Sequence, residues 1–200
     1  MNRTTARRLL SAAALLVLVA PAFGQRAAEE MTPEEQAMME TYMKAGAPGE
    51  QHQMLASQAG EYTTVARSWA APDAPPMEEM GSATRTMILD GRVMVETYQG
   101  AMMGMPFTGQ AMTGYDNVSG KYWATWNDSM STGIMVMEGT CDAEMSCTFT
   151  GTYNDPITKG PVASTMTFRW TSPTTEVLEM HGPGPDGNQV KMMELTYTKK

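Results

Sequence analysis

The sequence predicts an all-β protein, a closed antiparallel up-and-down β-barrel of about ten strands, preceded by one or two N-terminal helices. From residue 60 onward, runs of Thr, Val, Tyr and Trp alternate with turn signals roughly every ten residues. No helical pattern separates these runs, and nearly every connection between them is short and sequential. Closing the sheet would hide its edge strands, although a two-sheet sandwich has the same periodicity and stays an alternative.

The first 24 residues are typical of an export signal. Arg3, Arg7 and Arg8 form a basic start, residues 9–20 are apolar, and Ala22-Phe23-Gly24 places small residues around a cleavage site. The apolar run is too short to span a bilayer as a helix, which needs about 20 residues. We therefore expect a soluble mature protein that is periplasmic or secreted.

Two short helices are predicted before the first strand. Thr32 can cap the first helix, Pro33 suits its first position, and Glu35 can complete a capping box. The second helix is expected between Pro48 and Gln58. We predict a signal peptide at 1–24, an N-terminal extension with a short helix at 25–47, and a β-barrel domain at 48–200.

The strands are placed from apolar and β-branched runs and from the turns between them. Asp90-Gly91 is the strongest hairpin signal, and Ser172-Pro173 and Asp186-Gly187 mark later turns. A long surface loop is expected over 70–79, where Pro72, Pro75 and Pro76 lie. The predicted strands are 61–69, 82–89, 92–99, 107–114, 121–127, 133–141, 147–154, 162–171, 175–181 and 189–198.

The charge balance excludes two classes of partner. Without residues 1–24 the chain has 11 basic and 22 acidic residues, a net charge of −11. Such a surface repels phosphate backbones and anionic lipid headgroups. We expect neither nucleic-acid binding nor membrane insertion after signal cleavage.

The only two cysteines, Cys141 and Cys147, lie between two β-type runs. Disulfides persist outside the cytoplasm, so a bridge that closes this hairpin is the preferred interpretation. A metal-binding thiol pair or two free thiols are the alternatives. No His lies near either cysteine, and a lone pair supplies half of a zinc site.

Twenty-two methionines are the compositional oddity. Clusters such as Met102-Met103-Gly104-Met105 suggest thioether ligation of copper(I), but adjacent strand residues point to opposite faces. A haem held in the barrel, with His181 as its axial ligand, is a second alternative. Methionine as an adaptable core or pocket residue is the simpler interpretation, and we expect no cofactor.

No catalytic motif is recognisable. The chain lacks a Gly-x-Ser-x-Gly elbow, a Gly-rich phosphate loop and clustered His or Asp residues at metal-ligand spacing. His52, one of only two histidines, is expected to be solvated on the second helix. The sequence predicts a protein that is not an enzyme.

Several charged residues interrupt otherwise apolar strands. They are Arg67, Arg85, Glu96, Asp128, Arg169, Glu179 and Glu194. The simpler interpretation places them on the solvated outer face of half-buried strands. The alternative is an interior network in which an arginine pairs with a carboxylate, because buried charges need partners.

Several separated motifs resemble one bacterial family. They are GSATRTMILDGR at 81–92, GYDN at 114–117 and WNDSMSTG at 126–133, with the closing segment at 184–198. Together they resemble domain-of-unknown-function family fifteen-seventy-nine over about residues 48–200. The resemblance implies a lipocalin- or nitrobindin-like, calycin-like barrel, and it implies no known activity, substrate or catalytic residue.

We expect the barrel to bind a small apolar or amphipathic molecule. The apolar wall is assigned to Tyr115, Trp123, Trp126 and Met135. The polar groups that orient the ligand are assigned to Arg85, Asp128 and Ser131. Haem or copper binding through His181 and methionines is one alternative, and a structural or interaction protein with a filled barrel is another.

Overall fold

The computed structural model describes residues 31–184 and 186–200, so the predicted signal at 1–24 lies outside the described residues. Two helices precede ten strands. The helices are α1 (Pro33–Gly46) and α2 (Glu50–Ser57). The strands are β1 (Gly60–Ser68), β2 (Met77–Ile88), β3 (Val93–Met102), β4 (Met105–Asp116), β5 (Lys121–Asp128), β6 (Met135–Cys141), β7 (Cys147–Asp155), β8 (Gly160–Ser172), β9 (Thr175–Pro183) and β10 (Gln189–Lys199).

The ten strands form one closed barrel. Each strand pairs antiparallel with its neighbours in sequence, and β1 also pairs with β10, from Tyr62 opposite Lys199 to Ser68 opposite Met193. This last ladder leaves no open edge. The structure therefore confirms the predicted up-and-down barrel and excludes the sandwich.

The helices begin as the sequence indicates. In α1 the Glu35 backbone N–H donates to the Thr32 hydroxyl at 3.3 Å, and the Thr32 N–H donates to the Glu35 carboxylate at 2.8 Å. This reciprocal pair is the predicted capping box. No residue of α1 is buried, whereas α2 buries His52 and Leu55.

The barrel has two different ends. We call the end where α2 runs into β1 the α2 end. It also holds the hairpin tips at 89–92, 117–120, 142–146 and 173–174. The opposite end, here the far end, holds the connections at 69–76, 103–104, 129–134, 156–159, and 184 with 186–188.

The barrel interior is filled by large side chains that face inward glycines. A Cβ added to Gly109 would lie 2.2 Å from the Trp126 ring, and one added to Gly139 would lie 2.8 Å from Phe149. Real Cβ atoms do not approach ring atoms this closely. The missing Cβ atoms are thus what gives these rings their space.

One boundary differs clearly from the prediction. The long loop expected over 70–79 ends earlier, because β2 begins at Met77 and pairs from Met77 to Met80 with β1. Pro76 directly precedes this strand, and a proline cannot donate a ladder hydrogen bond. The apolar pattern of 77–81 is irregular, which hid the first part of the strand.

Candidate ligand-binding site

A buried ion cluster lies inside the barrel near the α2 end. Arg85 on β2 contacts Glu96 on β3 through Nε and Oε2 at 2.6 Å, and Glu176 on β9 through Nη1 and Oε2 at 2.7 Å. All three side chains are at most 7% exposed. The contact with Glu176 is short but poorly aligned for a hydrogen bond, so it acts as an ion pair.

Two tyrosines enclose the guanidinium. The Tyr197 hydroxyl donates to Glu96 Oε1 at 2.9 Å. The Arg85 Cζ atom lies 4.4 Å from the Tyr197 ring centre and 4.8 Å from that of Tyr62. Because the Tyr62 hydroxyl donates to the carbonyl of Gln58, just after α2, the cluster also ties the helix to the barrel.

The cluster contains two carboxylates and one guanidinium. Burial raises the pKa of Glu176, against the lowering effect of Arg85. Burial opposes the charge of Arg85, yet Glu96 and Glu176 hold the pKa of Arg85 well above its usual value. Arg85 therefore has a structural role inside the barrel, because Glu96 and Glu176 of the protein itself already neutralise its charge.

Two clefts lie beside α2 at the mouth of the barrel. The first, which we call the acidic cleft, has a volume of about 320 Å³. It lies between α2, the β4–β5 hairpin and the β6–β7 hairpin. Its lining includes Glu50, Met54, Tyr115, Tyr122, Cys141, Asp142 and Ala143.

The second cleft, which we call the apolar cleft, has a volume of about 530 Å³. It lies between α2 and the β6–β7 and β8–β9 hairpins. Its apolar lining comprises Met54, Ala143, Met145, Trp170 and Pro173. Its rim is polar and comprises Ser57, Glu144, Ser146, Thr171, Ser172 and Lys199. Because Met54 and Ala143 line both clefts, the two spaces adjoin each other.

The disulfide fixes the hairpin between the two clefts. Cys141 ends β6 and Cys147 begins β7, and the two form the predicted bridge. The tip at 142–146 therefore lies directly beyond a covalent link. Its first residue lines the acidic cleft and Met145 lines the apolar cleft.

His52 holds α2 against the barrel, which corrects the prediction that it is solvated. The ring is 5% exposed, and its Nδ1 accepts a hydrogen bond from the Gly49 N–H at 3.0 Å. Its edge meets the Tyr115 ring at a centroid distance of 5.9 Å. A helix of eight residues is thus anchored by one capping ring and by the buried Leu55.

A family model described as a protein of unknown function, DUF1579, matches residues 47–199. The chain belongs to this family. The match confirms the resemblance inferred from the motifs at 81–92, 114–117 and 126–133. The chain has no significant match among curated proteins.

Fourteen chains of solved structures match this DUF1579 barrel. One is an S-type phycobiliprotein lyase from Guillardia theta, with a TM-score of 0.54 and 11% identity, covering 76% of this chain and 93% of that chain. Another is a redesigned β-barrel, with a TM-score of 0.37 and 12% identity, covering 73% and 94%. The lyase comparison shows that the two proteins share a fold.

The structure brings three of the predicted site residues together. Trp126 on β5 lies opposite the buried Met135 on β6. The Trp126 indole N–H donates to Asp128 Oδ2 at 2.9 Å. Trp126 also stacks on Phe107 inside the DUF1579 barrel. Trp126 and Met135 belong to the packed core toward the far end, and Asp128 lies half-buried beside them.

The other predicted site residues are dispersed. Tyr115 lines the acidic cleft and Arg85 lies in the buried cluster. Trp123 lies between the inward residues Tyr122 and Ala124, so it faces outward and covers Gly114. Ser131 is exposed in a far-end loop. Trp123 therefore does not share the inward face of Trp126, and Ser131 and Arg85 lie toward opposite ends of the barrel.

The charged strand residues divide between the two faces. Arg85 and Glu96 form the interior pair that was the alternative interpretation. Arg67 contacts Glu78 and Glu194 on the outer face, and Arg169 lies 3.6 Å from Glu179 there. Of the predicted residues, the simpler interpretation thus holds for Arg67, Arg169, Glu179 and Glu194. The alternative of an interior pair holds for Arg85 and Glu96.

His181 is poorly placed for the haem alternative. It lies between Met180 and Gly182 on β9, both of which face inward, so its side chain faces outward. A haem inside the barrel would be out of its reach. No group of three or more His, Cys, Asp and Glu side chains suited to a metal ion occurs among the described residues.

The sequence reasoning missed Glu176, Glu50 and Trp170. Glu176 has the same strand parity as Leu178 and Met180, and this parity places it inside. Trp170 likewise shares the strand parity of the inward residues Met166 and Phe168, whereas Glu50 on α2 had no comparable signal. Their role depends on where α2 lies over the barrel, which is set by tertiary packing.

Proposed function

We propose that this protein binds a small amphipathic molecule at the α2 end of the barrel, without catalysing a reaction. The observation that carries this proposal is the pair of adjoining clefts that share Met54 and Ala143. The ligand's polar group occupies the acidic cleft and its apolar part occupies the apolar cleft. We place the ligand at the mouth because the protein's own side chains fill the interior.

The shape and the chemistry of the two clefts support this proposal. Each volume lies in the range of small-molecule sites, about 300–1,000 Å³. The apolar cleft offers Trp170, Met145 and Pro173 as contact surface. The shared fold with a phycobiliprotein lyase also supports a role in binding a small molecule.

We also propose that the protein works outside the cytoplasm. The disulfide between Cys141 and Cys147 supports this location, since cytosolic thiols are kept reduced. The export-type sequence of residues 1–24 supports it as well. Within the described residues, no helix has the length and apolar character needed to cross a lipid bilayer.

A fluorescence titration with N-phenyl-1-naphthylamine, an apolar dye, tests the proposed binding. The wild type should bind the dye saturably, and Met54→Glu should abolish this binding. Met130→Glu is the matched control, because Met130 is half-exposed at the far end. Ala143→Trp, at an exposed hairpin position, should block the junction without disturbing the core. Binding that survives both Met54→Glu and Ala143→Trp would place the site elsewhere.

A further inference from the structure

We propose that the ligand's polar group is a cation, an ammonium bound between the carboxylates and the tyrosine rings of the acidic cleft. This inference rests on the proposed function and names the chemical class of its ligand. It depends on four features of the cleft, which are its charge, a carboxylate without a partner, a second carboxylate held in place, and an aromatic pair.

The acidic cleft carries negative charge only. Glu50 and Asp142 line it, and no Lys, Arg or His is among its lining residues. The apolar cleft differs, since Glu144 and Lys199 both line it and oppose each other in charge. An anionic headgroup in the acidic cleft would meet two carboxylates, and the buried Arg85 is already paired with Glu96 and Glu176.

Glu50 is the carboxylate that is free to receive a cation. It lies in the first turn of α2, and within residues 31–184 and 186–200 it has no hydrogen-bond or ion-pair partner. Its charge acts on Tyr122, which lines the same cleft. Burial is the main cause that raises the pKa of Tyr122, and the charges of Tyr115 and Glu50 raise it further.

Asp142 is held by its own hairpin. Its Oδ1 accepts hydrogen bonds from the backbone N–H groups of Glu144 and Ser146, both at 2.9 Å. The adjacent disulfide at Cys141 restrains the same turn. This carboxylate is therefore positioned before any ligand arrives, so little ordering entropy is lost on binding.

Two tyrosine rings complete the cleft. Tyr115 and Tyr122 lie 4.9 Å apart between centroids, and both line the cleft. An aromatic face attracts an ammonium group through its quadrupole, and rings combined with carboxylates are a known way to bind quaternary amines. Tyr122 is only 4% exposed and its hydroxyl is directed to Met145, so the half-buried Tyr115 ring is the one that a cation can approach.

Calorimetric titration with three ten-carbon probes tests this assignment. The probes are decyltrimethylammonium, decanoate and decanol, each below its aggregation concentration. We expect the cation to bind at least about tenfold more tightly than decanoate at pH 7, a difference of about 1.4 kcal/mol. High salt should reduce the preference, because part of it is Coulombic.

Variants of the two carboxylates then test whether the preference for the cationic probe comes from the acidic cleft. Glu50→Gln with Asp142→Asn should remove it, while the Asn side chain can keep the two backbone hydrogen bonds of Asp142. Glu61→Gln is the matched control for Glu50→Gln alone, since each removes one negative charge at the α2 end and Glu61 lies at an exposed position on β1. Binding of decanol should be unchanged in all of these variants.

The possible outcomes separate the two proposals. If decanoate or decanol binds as tightly as the cation, or if the double variant keeps the cation preference, the cationic assignment is wrong and the amphipathic site stands. If none of the three probes binds to the folded wild type, the proposed function itself is overturned.

Discussion

At the scale of single residues, Arg85 is the most consequential side chain of this barrel. It joins β2 to β3 and β9 through two carboxylates that are nearly inaccessible to water. Removing one partner of such a group leaves the other charges buried without compensation. The cluster thus makes the α2 end of the interior polar while keeping it packed.

Replacing Arg85 should therefore cost far more than replacing a surface arginine. We expect Arg85→Met to lower the free energy of unfolding by about 3–5 kcal/mol. Arg67→Met, on the outer face with a side chain 41% exposed, should cost about 1 kcal/mol or less. Urea denaturation at pH 7 measures both. Equal losses in the two variants would show that the interior cluster has no special role.

The raised pKa of Glu176 predicts a particular pH dependence. Because burial raises this pKa in the folded state, the folded protein keeps a proton on Glu176 between the unfolded and the folded pKa, where the unfolded chain has released it. Stability from this group is thus intact below the unfolded pKa and is lost as pH rises toward the folded pKa. The wild type should lose stability relative to Glu176→Gln as pH rises from about 4, the unfolded carboxyl value.

Glu194 supplies the control of opposite sign. Hydrogen bonding to Lys191 is the main cause that lowers the pKa of Glu194. Its contribution is present above the unfolded pKa and is lost as pH falls, so Glu194→Gln should diverge from the wild type in the other direction. Urea denaturation of both variants across this range measures the two trends. If the free energy of unfolding changed with pH in parallel for Glu176→Gln and the wild type, the pKa of Glu176 would not be raised in the folded state.

The alternation of strand residues between the two faces of the sheet explains how far the inward or outward position of single residues could be predicted. Arg85 shares its strand face with Ala83 and Met87, and Glu96 shares its face with Met94 and Tyr98. These patterns allowed an interior pair to be inferred. The same parity puts Trp123 outside, but a one-residue uncertainty in register reverses every such assignment.

At the scale of elements, the β6–β7 hairpin carries both the disulfide and a tip that lines the two clefts. Its disulfide closes a very short loop, so by loop entropy it adds only about 2 kcal/mol. Its larger role is to hold the tip at 142–146, which lines both clefts.

Removing the bridge should separate these two roles. Cys141→Ser with Cys147→Ser should lower the free energy of unfolding by about 2 kcal/mol. The protein should stay folded at room temperature, and its affinity for N-phenyl-1-naphthylamine should fall several-fold. Denaturation and dye titration of the same sample give the two values. Unchanged dye affinity in the variant without the disulfide would show that holding the tip in place plays no part in binding.

The inward glycines make a second prediction at this scale. Gly109→Ala would put a Cβ 2.2 Å from the Trp126 ring, so the ring must move and stability should fall by about 1–3 kcal/mol. Gly160→Ala is the control, since the nearest atom to its Cβ would be 4.0 Å away. Tryptophan emission should shift in the first variant only. An unshifted, fully stable Gly109→Ala protein would mean that the core is not closely packed there.

The elements themselves were largely predictable. The ten strands follow from runs of β-branched and aromatic residues between turn signals, and Thr32 and Glu35 mark the start of α1. The early start of β2 at Met77 was not predictable. Pairing with β1 stabilises that segment, and a ladder contact leaves little local trace in the sequence.

At the scale of the whole molecule, closure of the barrel and location of the site are separate problems. The sequence predicted the closure, because ten short strands must hide their edges. A filled barrel was one of the alternatives, but the open space beside α2 was not predicted. That arrangement depends on inward glycines, on the docking of α2 through Leu55 and His52, and on hairpin tips brought together only by the fold.

The most direct test of a ligand site at the α2 end is backbone amide shift mapping with decyltrimethylammonium. Shifts should concentrate in residues 50–58, 115–122, 140–146 and 170–173, which surround the two clefts. Residues around Trp126 and Met135 in the packed core, and the far-end tips, should stay unchanged. Shifts centred on that core or on the far end would contradict a site at the α2 end.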